Sequence, residues 1–160
     1  MKAPVCYVRT IMLAVLSLAI SGAYAQQRPG YGPAVNVGQA KKIAANVVAE
    51  CAANKWNVAV AVVDTNGLLV YFERMEDTQT ASSKIAIMKA KAAAQYRRPT
   101  RAFVDAIAQS GPATVTLPGV VASPGGLPLM VGGKVIGAVG VSGVTGTSKP
   151  LWRTTSRSCA

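Results

Sequence analysis

The chain of 160 residues contains no histidine. That absence excludes the Ser-His-Asp triad, most zinc sites and any haem held through imidazole. Acidic residues are nearly as scarce, with 6 against 17 basic ones. No paired carboxylates stand out for general acid–base work, so no catalytic residue is assigned and an enzymatic role is not the favoured reading. Cysteine is limited to Cys6, Cys51 and Cys159, which makes no disulfide framework. Cys51 falls on an apolar helical stripe, where a buried free thiol is the expected state. The apolar run from Ile11 to Ile20 falls short of the roughly 20 residues that a membrane-spanning helix needs.

What the amino terminus does contain is a three-part pattern. Lys2 and Arg9 precede that apolar run, and Ala23 and Ala25 follow it as an A-x-A site. This is the layout of a secretory signal peptide over residues 1–25, with cleavage expected before Gln26 and a periplasmic or secreted product. Loss of Lys2 and Arg9 takes the formal charge from +11 to +9. The positives are scattered and have no interleaved exposed aromatics, which speaks against nucleic acid as partner. Oxidising conditions after export would permit a Cys51–Cys159 bridge, although the stripe argues against it.

Gln26–Val35, "QQRPGYGPAV", reads as a flexible arm rich in proline and glycine. Asn36 with Gln39 has the spacing of a capping box. Ala40, Ile43, Ala44, Val47, Val48 and Cys51 then recur at helical spacing, and the helix should end near Asn54. "NVAVAVVD" (57–64) lacks polar alternation, so both faces of that strand should be covered. It is joined to "LLVYFER" (68–74) through Asn66-Gly67, a strong hairpin signal. Asp64 is placed to hydrogen-bond that turn, and Arg74, between Glu73 and Glu76, reads as a structural ion pair. A second helix is expected from Ser83 over Lys84–Arg97, stopped by Pro99. Thr100 is the expected N-cap of a third, running through Ala108 and burying Phe103 and Ile107. "QSGPATVTLPG" (109–119) reads as a loop.

The glycine-dense stretch "ASPGGLPLMVGGKVIGAVGVSG" (122–143) is not a phosphate loop. Pro128 stands where the first glycine of that motif belongs, and Val135 replaces its Ser/Thr. Leu127–Val131 and Lys134–Val141 flank Gly132-Gly133 as a second hairpin, with Pro128 marking an edge strand. Gly137, Gly140 and Gly143 permit close approach of a packed element.

Taken together, "VVDTNG" (Asp64, Gly67), "ERMED" (Arg74, Met75, Asp77), "KA" (Lys91, Ala92), "RPT" (Pro99, Thr100), "PGGLPL" (Gly125, Gly126, Pro128) and "IGAVGVSG" (Gly137–Gly143) resemble the GlcG/HbpS-like family over about Ala40–Gly146. The resemblance implies a profilin-like α/β sandwich, an antiparallel sheet with helices packed on it, and assembly into homo-oligomers. It also implies a haem- or tetrapyrrole-binding module. The other reading it carries is an accessory or sensing protein for a small organic acid of the glycolate-utilisation type, or a structural homo-oligomer. One departure stands out: "VTGTSKPLWRTTSRSCA" (144–160) has Pro150 and no helical stripe where the family places a terminal helix, so one sheet face is expected to lie bare.

The resemblance associates Thr100 with the haem iron, as a weak neutral ligand. Tyr96, Met75, Met88 and Cys51 are the other side chains able to ligate iron. Lys84 and Lys91, seven apart on one helical face with Met88 between them, and Arg97 and Arg98 at that helix's end are expected to form a positive rim for carboxylates, either haem propionates or a small organic acid.

Overall fold

The computed structural model describes residues 28–143. The expected cleavage site, Cys159 and the tail that bears on a terminal helix lie outside the described residues. In chain order the elements are α1 (Val37–Ala53), β1 (Ala59–Val63), β2 (Leu69–Arg74), α2 (Ala81–Tyr96), α3 (Arg101–Ser110), a 3-10 turn (Pro112–Thr116), β3 (Gly126–Val131) and β4 (Lys134–Ser142). The four strands form one antiparallel sheet in the order β2-β1-β4-β3, the architecture that the resemblance implies.

The capping box of α1 is present in both halves. Gln39 N–H donates to Asn36 Oδ1 at 2.9 Å and Asn36 N–H donates to Gln39 Oε1 at 3.0 Å. Asp64 Oδ1 accepts from the N–H groups of Asn66 and Leu68, both at 2.8 Å, and fixes the first hairpin. Gly132 and Gly133 turn the second with φ of +54° and +73°, a conformation that suits glycine.

Every residue of β1 is buried because helices cover both of its faces. On one side Val58, Val60 and Val62 join Ala40, Ala44, Val47 and Cys51 of α1. On the other, Ala59, Ala61 and Val63 meet Ala86, Ala90, Ala93 and Ala94 of α2. The small side chains let α2 press close to the sheet. At Gly140 an added methyl group would run into the Ala86 carbonyl and the Ala90 backbone.

Five expectations need correction. The arm is not free: Gly32 N–H donates to Val135 O at 2.8 Å, Val135 N–H to Gly30 O at 2.8 Å and Val35 N–H to Ile136 O at 2.7 Å. It takes over the β1 side of β4 beyond Ala138, the last residue that β1 pairs, and so satisfies backbone groups left open there. Helix α2 starts earlier than Ser83, at Ala81. The 109–119 loop contains the 3-10 turn. Arg74 is exposed and forms no ion pair; among the described residues the salt bridge is Arg101–Asp105, at 2.8 Å. Leu129, Val139 and Val141, on the α1 side of the β3–β4 half, are buried rather than bare.

Candidate functional site at the α2–α3 junction

Helix α2 ends at Tyr96, and Arg97 takes the left-handed conformation (φ 53°, ψ 41°) that more often falls to glycine at a helix end. The chain therefore reverses within a few residues and sets Tyr96, Arg97, Arg98, Thr100 and Phe103 around one corner. The Tyr96 and Phe103 rings meet edge to face, with centroids 5.2 Å apart and planes at 85°. The Arg98 guanidinium lies 4.5 Å from the Phe103 centroid and 5.9 Å from that of Tyr96, within the range of cation–π attraction. Arg97 stacks over Tyr31 at 5.2 Å and donates from Nη1 to Pro29 O at 3.1 Å. Tyr31 in turn donates from its hydroxyl to Ala94 O at 2.9 Å, which ties the arm to the end of α2.

The electrostatics of this corner are one-sided. Arg98 Nε is buried and has no hydrogen-bond partner. Burial first, and then the nearby charge of Arg28, lower the affinity of Arg98 for its proton. All 6 acidic residues of the chain are described, and none pairs with Arg97 or Arg98. Three guanidiniums, Arg28, Arg97 and Arg98, thus gather beside an aromatic pair with no anion paired to Arg97 or Arg98 among the described residues.

Thr100 behaves differently from either expectation. It is fully buried, with φ −64° and ψ −20°, and its side chain does not cap α3. Its hydroxyl donates to Ser123 O at 2.7 Å and accepts from Gly126 N–H at 3.0 Å, while its own N–H donates to Gly126 O at 3.0 Å. Thr100 clamps the "SPGG" segment to the start of α3, and its oxygen is turned inward. Tyr96 is similarly engaged, donating to Pro118 O at 2.7 Å.

The remaining candidates are dispersed. Lys84, Met88 and Lys91 are exposed on the outer face of α2. Lys91 lies over the first hairpin at Gly67. Lys84 precedes Arg97 by thirteen helical residues, about 20 Å of axis, so one rim cannot include both ends. Met75 packs against the α1-side core. Burial pushes the Cys51 thiol up to about 11, with Glu50 adding to the effect, which keeps it from acting as a thiolate ligand. No group of three His, Cys, Asp or Glu side chains able to hold a metal occurs among the described residues.

Sequence reasoning missed Arg28, Tyr31 and Phe103 as parts of this corner. Phe103 was legible only as core, and the arm gave no sign that it folds back. It also missed Lys89, which is buried on α2. A signal for that one existed, since Lys89 shares the stripe of Ser82, Ala86 and Ala93.

The described residues thus form a small single-sheet α/β domain with a basic, aromatic corner at the α2–α3 junction. Residues 35–148 match the family model described as "Haem degrading protein HbpS-like". The chain belongs to this HbpS-like family. Protein GlcG of Escherichia coli (strain K12) is 39% identical over 93 residues, covering 58% of this chain and 69% of GlcG. An uncharacterised 15.0 kDa protein from the dhaT-dhaS intergenic region of Citrobacter freundii is 35% identical over 130 residues, 78% of this chain and 91% of its own. Among solved structures, a double mutant of Streptomyces reticuli HbpS superposes with a TM-score of 0.70 at 27% identity, covering 87% of this chain and 93% of that one. A PduOC–haem complex gives 0.63 at 27% identity, over 70% and 84%.

Proposed function

We propose that this protein is an exported haem- or tetrapyrrole-binding module whose α2–α3 corner receives the carboxylates of the macrocycle. The observation that carries the reading is Arg98: a guanidinium against two aromatic rings, with a buried Nε that has no partner and, among the described residues, no carboxylate paired with it. A buried donor left unsatisfied costs about 1–3 kcal/mol, and an incoming carboxylate would offset that cost. Arg28 and Arg97 add charge, and the half-buried Tyr96, backed by the fully buried Phe103, supplies apolar area for a flat ring. Support also comes from the family match and from the haem complex of the PduOC relative.

The residues present fit the acidic edge of haem better than its iron. When bound, haem supplies a flat apolar surface, two carboxylates and an iron centre. The chain's own residues bind the edge and orient the ring, while the Thr100 hydroxyl holds the adjoining loop. The iron ligand expected at Thr100 therefore requires that hydroxyl to leave Ser123 O or Gly126 N–H.

Haemin titration followed by visible absorption tests the reading. Saturable binding weakened about tenfold or more in Arg98→Gln, as expected when a charge-assisted pair worth roughly 1.5–3 kcal/mol is lost, supports it. Equal affinity in Arg98→Gln and Arg97→Gln variants that remain folded would overturn it.

A further inference from the structure

The arm, residues 28–35, makes two sets of contacts, one with strand β4 and one with the arginine corner. Toward β4, Gly32 N–H donates to Val135 O and Val135 N–H to Gly30 O, both at 2.8 Å, so that Tyr31 is bridged to Val135 in a parallel sense. Toward the corner, the Tyr31 hydroxyl donates between Ala94 O at 2.9 Å and Gln95 O at 3.2 Å. Those carbonyls lie in the last turn of α2, where acceptors run out of partners within the helix. A tyrosine 63 residues away in sequence thus closes the end of α2.

The same segment holds Arg97. Its guanidinium stacks on the Tyr31 ring at 5.2 Å and donates to Pro29 O at 3.1 Å. The Arg97 backbone keeps a left-handed conformation (φ 53°) that a residue with a side chain adopts only at a cost. Arg28, on the same arm, brings a like charge close enough to bear on Arg98. Docking of the arm therefore has two opposed effects at the corner. It fixes Arg97 in one pose, and it crowds guanidiniums, of which neither Arg97 nor Arg98 is paired with an acid among the described residues. An anion bound there gains from the first effect and relieves the second.

We propose that the arm is a strap whose docking on β4 is coupled to anion binding at the corner, with Tyr31 as the positioning residue that carries the coupling. The proposal rests on the reading of the corner as a carboxylate site and adds that the site is complete only with the strap down. Linkage makes the effect reciprocal: the factor by which docking strengthens anion binding equals the factor by which the anion strengthens docking. Arm residues remote from the ligand then set its affinity through Tyr31.

The test is amide exchange on the folded full-length chain, read at Gly32 and Val135, whose N–H groups are bonded through the arm–β4 contact. Exchange is followed without ligand, with saturating haemin, and in a separate series with citrate against chloride of equal ionic strength. Both amides are expected to slow about fivefold or more with either ligand, the lower end of the usual coupling between sites. Leu68 N–H, held in the first hairpin by Asp64, should not change. Gly32→Pro removes the bond to Val135 O and substitutes no residue of the corner, and it should weaken haemin binding by the same factor. Tyr31→Phe keeps the ring under Arg97 and should weaken binding less than Tyr31→Leu. Saturable haemin binding that leaves Val135 exchange unchanged, with Gly32→Pro binding as tightly as the unsubstituted chain, overturns the coupling and leaves the carboxylate reading standing. Slowing by citrate without any haemin binding supports the coupling and overturns the tetrapyrrole reading. Unchanged exchange in both series overturns the coupling.

Discussion

At Thr100 a short side chain does the work of a cross-link. One hydroxyl joins the start of α3 to both Ser123 and Gly126, and it does so where no water reaches. Thr100→Val keeps the shape but strands the Gly126 N–H and the Ser123 carbonyl, so unfolding in urea should show a loss of about 1–3 kcal/mol. An unchanged midpoint would refute the clamp. Sequence alone gives no distinction between a threonine that caps its own helix and one that reaches across to a distant loop, because both follow a proline and open a helix. Arg98 was legible as a cation at a helix end. Its stacking on Phe103 was not, since that depends on the reversal at Arg97.

Lys89 and Cys51 are both titratable groups in apolar surroundings, and they shift stability in opposite directions of pH. The Lys89 amine is held below its ordinary 10.5, so protonation is penalised in the fold. That cost is absent above the ordinary value and grows as pH falls. Lys89→Met should therefore raise the melting temperature at pH 6 and give progressively less benefit toward pH 10.5, as followed by circular dichroism. A gain independent of pH would mean that packing alone is responsible. The Cys51 thiol is held above its ordinary 9.0, at about 11, so its contribution is complete below 9.0 and is lost as pH rises through that window. Peptide mapping should show Cys51 resisting thiol reagents at pH 8 in the native protein and reacting readily once unfolded. Prompt labelling of Cys51 in the native form would contradict its burial.

At the scale of elements, the hairpins and α1 were legible because short-range chemistry sets them. Asn66-Gly67 and Gly132-Gly133 supply turn geometry, and Asn36 with Gln39 closes a capping box. Asn36→Ala should cost about 1 kcal/mol, measurable by chemical denaturation; no change would show that α1 is held by packing alone. The arm was misread because proline and glycine look the same in a free tail and in a strand-like segment lying along a sheet. Its partners, Val135 and Ile136, lie about a hundred residues away in sequence. The arm's role has a direct signature in amide exchange. Deleting residues 1–33 removes the Gly30 carbonyl that accepts from Val135 N–H, so exchange at Val135 should accelerate while Val62 and Val139 stay protected. Unchanged protection at Val135 would mean that the arm is dispensable to β4.

At the scale of the molecule, the order of hairpins and helices identified the family because several weak fragments fell in sequence, whereas the candidate corner required the fold. It draws on the arm, the end of α2 and the start of α3, and these meet only in three dimensions. Export is a proposal resting on residues 1–25. Mature protein recovered from outside the cytoplasm should begin at Gln26 by N-terminal sequencing, and an intact Met1 there would contradict it.

The central claim is that the corner grips the acidic edge of a tetrapyrrole rather than its metal. The most direct measurement compares haemin with iron-free protoporphyrin in parallel titrations of the folded chain and of its Arg98→Gln variant. The account predicts similar affinities for the two macrocycles, both weakened by the substitution. Strong binding of haemin alone, indifferent to Arg98, would place the affinity on the iron and contradict it.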